Sequence, residues 1–145
     1  MPVPAEEVRA ALRRHRPALA CVGAPVLVRT DLWPGNLFLE PSTGEVVGVI
    51  DPERAIWGDP AFELAGADQL GRGPVPTSLL EGYATVGTPP DVDDEAVRVR
   101  IELYRLSFAL VMCVELVPRA YVGDRVEGHR SALAANLRAA PDSLA

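Results

Sequence analysis

LVRTDLWPGN at Leu27–Asn36, followed by GVID at Gly48–Asp51, decides how this chain is read. Asp31 and Asn36 stand five residues apart across a loop tightened by Pro34-Gly35, and Asp51 closes a short apolar run. Leu37–Glu40 and Glu45–Ile50 have strand character. The four residues Pro41-Ser42-Thr43-Gly44 between them suit a hairpin turn with Gly44 at a positive φ. A hairpin sets the start of its first strand beside the end of its second, so it brings Asn36 next to Asp51. One carboxamide oxygen and one carboxylate form a donor set for Mg²⁺, which takes few protein ligands and completes its shell with phosphate and water. Asp31 approaches the same point from the loop without joining the metal shell. A base beside a metal–phosphate site is the arrangement for in-line transfer of a phosphoryl group to a hydroxyl. Each residue alone also has a local reading, as a turn cap, a loop amide or a strand-end acid. The three together, at this spacing, favour the chemical one.

Outward from the hairpin the chain reads as helical. Ala5–Arg16 is amphipathic with Glu6 and Glu7 in its first turn, and Pro17 and Pro25 bracket a connecting segment before an extended Val26–Val28. Asp59-Pro60 reads as an N-cap and first helical residue of a helix running to about Leu70. A second helix covers Ser78–Val86. Asp91, Asp93 and Asp94 load the start of a long helix through about Val117, polar at Arg98, Glu102 and Arg105 and apolar nearly all round from Leu106. A last helix covers Glu127–Ala140. Both hairpin faces are apolar, which predicts a hairpin buried between other elements. The fold class expected is α+β, mainly helical, with one small catalytic β-hairpin, in a single domain over 1–145.

Composition narrows the partners. The chain of 145 residues carries a net charge of −6 with a pI near 4.9, which argues against nucleic acid and an anionic membrane surface. All 14 basic residues are arginine, so no step here uses a lysine. Cys21 and Cys113 lie far apart, without metal or disulfide spacing, and the N-terminus has no apolar signal core, which together point to the cytoplasm. The longest apolar run, Leu106–Val117, is interrupted by Glu115 and too short to span a bilayer. His15 and His129 read as solvated, with no Cys or His at ligand spacing. Trp33 and Trp57 read as core residues, with Trp33 the one placed to line an acceptor pocket.

TDLWPGNLFLE at Thr30–Glu40 and VVGVIDPERAIWGDPAFELAG at Val46–Gly66 resemble the aminoglycoside phosphotransferase and choline kinase-like family, with a fructosamine kinase-like flavour. The likeness extends over roughly residues 5–140 and is strongest over 27–66. It implies the C-terminal lobe of a protein kinase-like fold, with Asp31 as catalytic base, Asn36 and Asp51 as Mg²⁺ ligands, Asp59 as a structural cap and orienting acid, and Glu63 where Asp is common. It implies ATP and Mg²⁺ as cofactors, and as acceptor a small molecule such as an aminoglycoside, amino sugar, glycated amine or choline-like compound.

Two departures shape the expectation. Arg29-Thr30 replaces the family's His-Gly before the catalytic Asp. Arginine is larger and permanently charged, and threonine adds a Cβ where glycine stands, so an altered loop is expected, with Arg29 as an anion contact the lesser reading. Only 30 residues precede Asp31, with no Gly-rich strand pair and no lysine, whereas an ATP-binding lobe needs on the order of 100 residues. The N-terminal lobe is therefore expected to be missing from a truncated chain or supplied by a separate polypeptide. The alternative function is a degenerate, non-catalytic lobe that binds a small molecule or a partner; a weaker one is a Mg²⁺-dependent phosphate hydrolase.

Overall fold

The computed structural model describes residues 3–118 and 122–144. Ten elements follow in order: α1 (Ala5–Arg14), α2 (Arg16–Ala20), β1 (Val26–Arg29), β2 (Leu37–Leu39), β3 (Val46–Val49), β4 (Ala55–Gly58), α3 (Pro60–Ala67), α4 (Thr77–Ala84), α5 (Glu95–Glu115) and α6 (Asp124–Ser143). The result is a mixed, mainly helical fold with two small antiparallel sheets. None of the described helices is long and apolar enough to cross a membrane.

The predicted hairpin is β2–β3. Gly44 takes φ 74° in its turn, and the register pairs Leu37 with Val49 and Phe38 with Gly48 before a bulge. The second sheet, β1–β4, pairs Val26 with Gly58 and Arg29 with Ala55. Sequence reading gave β1 as an extended stretch but had no strand at Ala55–Gly58, because four residues between a turn and an N-cap carry too little pattern. The segment between Pro17 and Pro25, expected as a connection, begins with the short helix α2; a proline in the first turn costs a helix no hydrogen bond.

The helices supply the core. One cluster joins α5 to α6 through Leu103, Leu106, Ala109, Leu133 and Leu137. The other joins α3 to the first half of α5 through Ala61, Leu64, Val97 and Ile101. Asp94 caps α5 by accepting from Val97 N. Arg105, expected on the polar face of α5, is buried: it donates to the Gly73 carbonyl and pairs with Glu102 and Asp68. The end of α5 is less enclosed than its composition suggested, with Val114 exposed, as is Val117 just beyond the helix.

The hairpin is the main correction. Phe38, Leu39, Val46 and Val49 are exposed and Val47 is 66% exposed. Two-sided apolar patterning predicts burial, but the described helices bury their faces against one another and the hairpin's apolar side chains stay exposed. Leu27 and Trp57 on the other sheet are exposed as well.

Candidate active site

Residues 29–36 form a loop whose geometry is set by its own polar groups. Trp33 has an extended backbone and is followed by a 3₁₀ turn at Pro34–Asn36, closed by Asn36 N donating to the Trp33 carbonyl at 2.9 Å. The buried Asn36 side chain donates through Nδ2 to the Asp31 carbonyl at 3.0 Å. That bond uses the amide nitrogen, so the carboxamide oxygen is the end left to act as a ligand.

The hairpin then carries Asn36 to Asp51 as expected. Ile50 N donates to the Asn36 carbonyl at 3.0 Å, which puts the two ends of the hairpin side by side. Asp51 has φ 58° and ψ 64°, and among the described residues it alone is a non-glycine at positive φ. This left-handed conformation costs a residue with a Cβ on the order of 1 kcal/mol. It reverses the chain after β3 and leads into a second 3₁₀ turn at Pro52–Arg54.

Asp31 is largely enclosed. Its Oδ1 accepts from Gln69 Nε2 at 2.6 Å, and its Oδ2 lies 3.9 Å from Arg54 Nε. Arg54 in turn donates through Nη2 to both carboxylate oxygens of Glu115 at 2.6 Å. Asp31, Asn36, Asp51, Arg54, Glu115 and His129 all line one cleft of about 610 Å³, a size suited to a small-molecule ligand.

Arg29 and Thr30, expected to disturb the loop, both tie it down. Arg29 Nη2 donates to the Ile50 carbonyl at 2.7 Å, just before Asp51. The buried Thr30 hydroxyl donates to the Arg54 carbonyl at 2.8 Å. Glu63 on α3 accepts from the Arg29 backbone N–H at 3.0 Å and so supports the loop's entrance. Asp59 caps α3 by accepting from Ala61 N, and its other oxygen takes Arg100 Nε at 2.6 Å and the Tyr104 hydroxyl at 3.0 Å. These partners orient α3 on α5, and none of them is Asp31, Asn36 or Asp51.

Sequence reasoning assigned no role to Gln69, Arg54, Gly66 or Glu115, and read His129 as solvated where it is half-buried in the cleft. Gln69 had no distinguishing pattern. Glu115 had one, as a lone acid in an apolar run, since such acids are paired when buried. Gly66 is needed because α3 crosses the loop so closely that a Cβ there would lie 2.7 Å from the Thr30 backbone. His15, also read as solvated, is half-buried and hydrogen-bonded to the Leu144 carbonyl at 2.7 Å.

Among the described residues no three or more His, Cys, Asp or Glu gather as a metal cage. A carboxamide oxygen and a carboxylate, as at Asn36 and Asp51, are donors of the hard-oxygen type that Mg²⁺ takes.

A loop supported by α3 and the hairpin that follows it thus bring an enclosed aspartate, a carboxamide and a second carboxylate to one cleft. The phosphotransferase enzyme family, APH, matches residues 2–99, and the chain belongs to that family. No curated protein and no solved structure gives a match. Met112, Glu115 and His129 line the cleft from beyond the matched residues.

Proposed function

We propose that residues 1–145 form the catalytic and acceptor-binding lobe of an ATP-dependent phosphotransferase with a protein kinase-like fold, acting in the cytoplasm on a small-molecule hydroxyl. The observation that carries this reading is that Asp31 and the Asn36–Asp51 pair open onto the same cleft. Asn36 and Asp51 would hold Mg²⁺, which supplies charge neutralisation on the phosphates of ATP. Asp31 would take the proton of the acceptor hydroxyl as its oxygen bonds to phosphorus and ADP leaves. Gln69 and Arg54 fix the carboxylate for that role; Arg29, Thr30 and Glu63 fix the loop, and Asp59 fixes the helix that supports it.

The exposed apolar residues of both sheets, including Leu27, Phe38, Val47 and Trp57, suit contact with an ATP-binding unit, carried on a preceding segment or a separate chain. Such a unit would also supply the cationic phosphate clamp that a chain without lysine lacks. The narrower likeness to choline and fructosamine kinases points to amino sugars, aminoglycosides, glycated amines or choline-like acceptors.

A second reading, a non-catalytic binding lobe, is favoured by one observation: Asp31 Oδ1 already has a donor in Gln69. Calorimetric titration with Mg²⁺·ATP separates the two. The phosphotransferase reading expects saturable, Mg²⁺-dependent heat that Asp51→Asn removes. In the presence of an ATP-binding unit it expects turnover that Asp31→Asn abolishes while Mg²⁺·ATP binding persists. A folded chain that gives no heat with Mg²⁺·ATP is either a fragment that needs its ATP-binding unit or a retired, binding lobe, and the absence of turnover once that unit is supplied selects the latter.

A further inference from the structure

Asp51 is held in a conformation that its own sequence opposes. Its φ of 58° and ψ of 64° are left-handed, yet Pro52 follows it, and a proline drives the residue before it toward extended backbone. Aspartate settles in the left-handed region when its carboxylate bonds the local backbone. Asp51 stands at the N-cap of the turn Pro52–Arg54 but makes no side-chain cap bond there. What keeps it left-handed therefore comes from outside the turn.

Two neighbouring side chains supply it, one on each side. Upstream, Arg29 Nη2 donates at 2.7 Å to the Ile50 carbonyl, part of the peptide that enters Asp51. Downstream, the buried Thr30 hydroxyl donates at 2.8 Å to the carbonyl of Arg54, which ends the turn that leaves Asp51. Both donors are themselves fixed. Arg29 pairs with Ala55 in the β1–β4 register, and Glu63 holds its backbone N–H. The Thr30 backbone lies against α3 at Gly66. Arg29 bonds a carbonyl and is not among the described residues that line the cleft, so it acts through Asp51 and not on a ligand. Asp51 does line the cleft. Its φ and ψ set where its Cα–Cβ bond points, so a change to extended backbone would turn the carboxylate elsewhere.

We propose that Arg29 and Thr30 are positioning residues that clamp Asp51 in the left-handed conformation and so present its carboxylate, beside Asn36, to a divalent cation. These are the two positions at which the chain departs from the family likeness, and the departure supplies the clamp. The use of Asp51 as a metal ligand rests on the phosphotransferase reading; the clamp on its backbone does not.

NMR on the full chain tests the clamp. At positive φ a residue's amide proton lies close to its own Hα, which gives a strong intraresidue NOE. Asp51 should show that NOE in the parent and lose it in Arg29→Met and in Thr30→Val, each of which removes one donor. Arg29→Lys and Thr30→Ser keep a donor and should retain it. Mn²⁺, which takes the same oxygen ligands as Mg²⁺, is the metal probe. It should broaden the Asn36 and Asp51 resonances of the parent. The concentration needed should rise about tenfold in Arg29→Met and Thr30→Val, as when about a tenth of the molecules keep the ligating conformation, and stay within about twofold in the conservative variants. A role limited to stability would lower the melting temperature and move neither signal. The proposal is overturned if either Arg29→Met or Thr30→Val leaves both signals as in the parent, or if Mn²⁺ does not broaden Asp51 in the parent. It is overturned as well if Arg29→Lys and Thr30→Ser lose both signals as fully as the first pair, which would assign the effect to packing. Turnover with a supplied ATP-binding unit keeps the two readings apart. Both signals without turnover retain the clamp and remove the phosphotransferase; turnover with signals that the variants do not move does the reverse.

Discussion

Arg54 holds Glu115 through a single nitrogen, Nη2, placed 2.6 Å from each carboxylate oxygen. This pair joins the turn that follows Asp51 to the end of α5. The same guanidinium stands 3.9 Å from Asp31, so one side chain connects the loop, the hairpin end and the long helix. Arg54→Met removes the guanidinium and with it the contacts to Glu115 and Asp31. The expected loss of stability is about 1–2 kcal/mol, since both partners are partly solvated. Chemical denaturation measures it. Glu115→Gln should cost less, because it leaves an acceptor for Arg54.

Gly66 and Gly82 should respond oppositely to alanine. At Gly66 the new Cβ meets the Thr30 backbone at 2.7 Å, whereas at Gly82 nothing lies within 4 Å. Gly66→Ala should push α3 off the loop at residues 29–36 and cost about 1–3 kcal/mol. Gly82→Ala, on the exposed face of α4, should add about 0.5–1 kcal/mol through helix propensity. Thermal melts of the two variants check the contrast, and equal effects would refute it.

Asp51 sits at φ 58°, and its conformation and carboxylate can be tested separately. Asp51→Gly removes the left-handed strain and should stabilise the chain by up to about 1 kcal/mol. Asp51→Asn tolerates the same backbone and should change stability little. Both should lose Mg²⁺-dependent ATP binding, because both lack the carboxylate. Denaturation and calorimetry on the same samples read the two effects.

Tyr104 supplies a pH dependence whose sign follows from its surroundings. Burial first, and then the Asp59 carboxylate, push its hydroxyl well above the usual value of 10.0; Tyr83 is raised as well, chiefly by burial. The folded chain keeps protons that the unfolded chain releases. The resulting stability is complete below pH 10 and is lost as the pH rises above it. Without lysines, few other groups titrate there. Tyr104→Phe should cost about 1 kcal/mol at neutral pH, from the lost bond to Asp59, and should flatten the alkaline decline. Urea denaturation at neutral pH and near pH 11 measures both.

The parts of the fold legible in sequence were those carried by local signals. Asp59-Pro60 announced its helix through capping, Asp91, Asp93 and Asp94 announced theirs by loading its start with acids, and Gly44 announced its turn through φ. Asn36 and Asp51 were placed together because hairpin connectivity alone makes neighbours of its ends. What failed were inferences about what lies on the far side of an element. Apolar residues on both faces of β2–β3 predicted burial, but patterning records which faces avoid water and not whether a neighbour is there to cover them.

The sequence by itself therefore determined the chemical residue types and their spacing: an acid, an amide and a second acid on a loop and a hairpin, with no lysine anywhere. Only the tertiary structure decided their surroundings. Gln69 reaches Asp31 from 38 residues away and Glu115 reaches Arg54 from 61. Contacts at such separations leave no periodic trace, because they depend on how α3 and α5 pack against the loop. The same packing turned Arg29 and Thr30 into tethers, left Trp33 seated on Gly35 at the cleft, and left the hairpin uncovered.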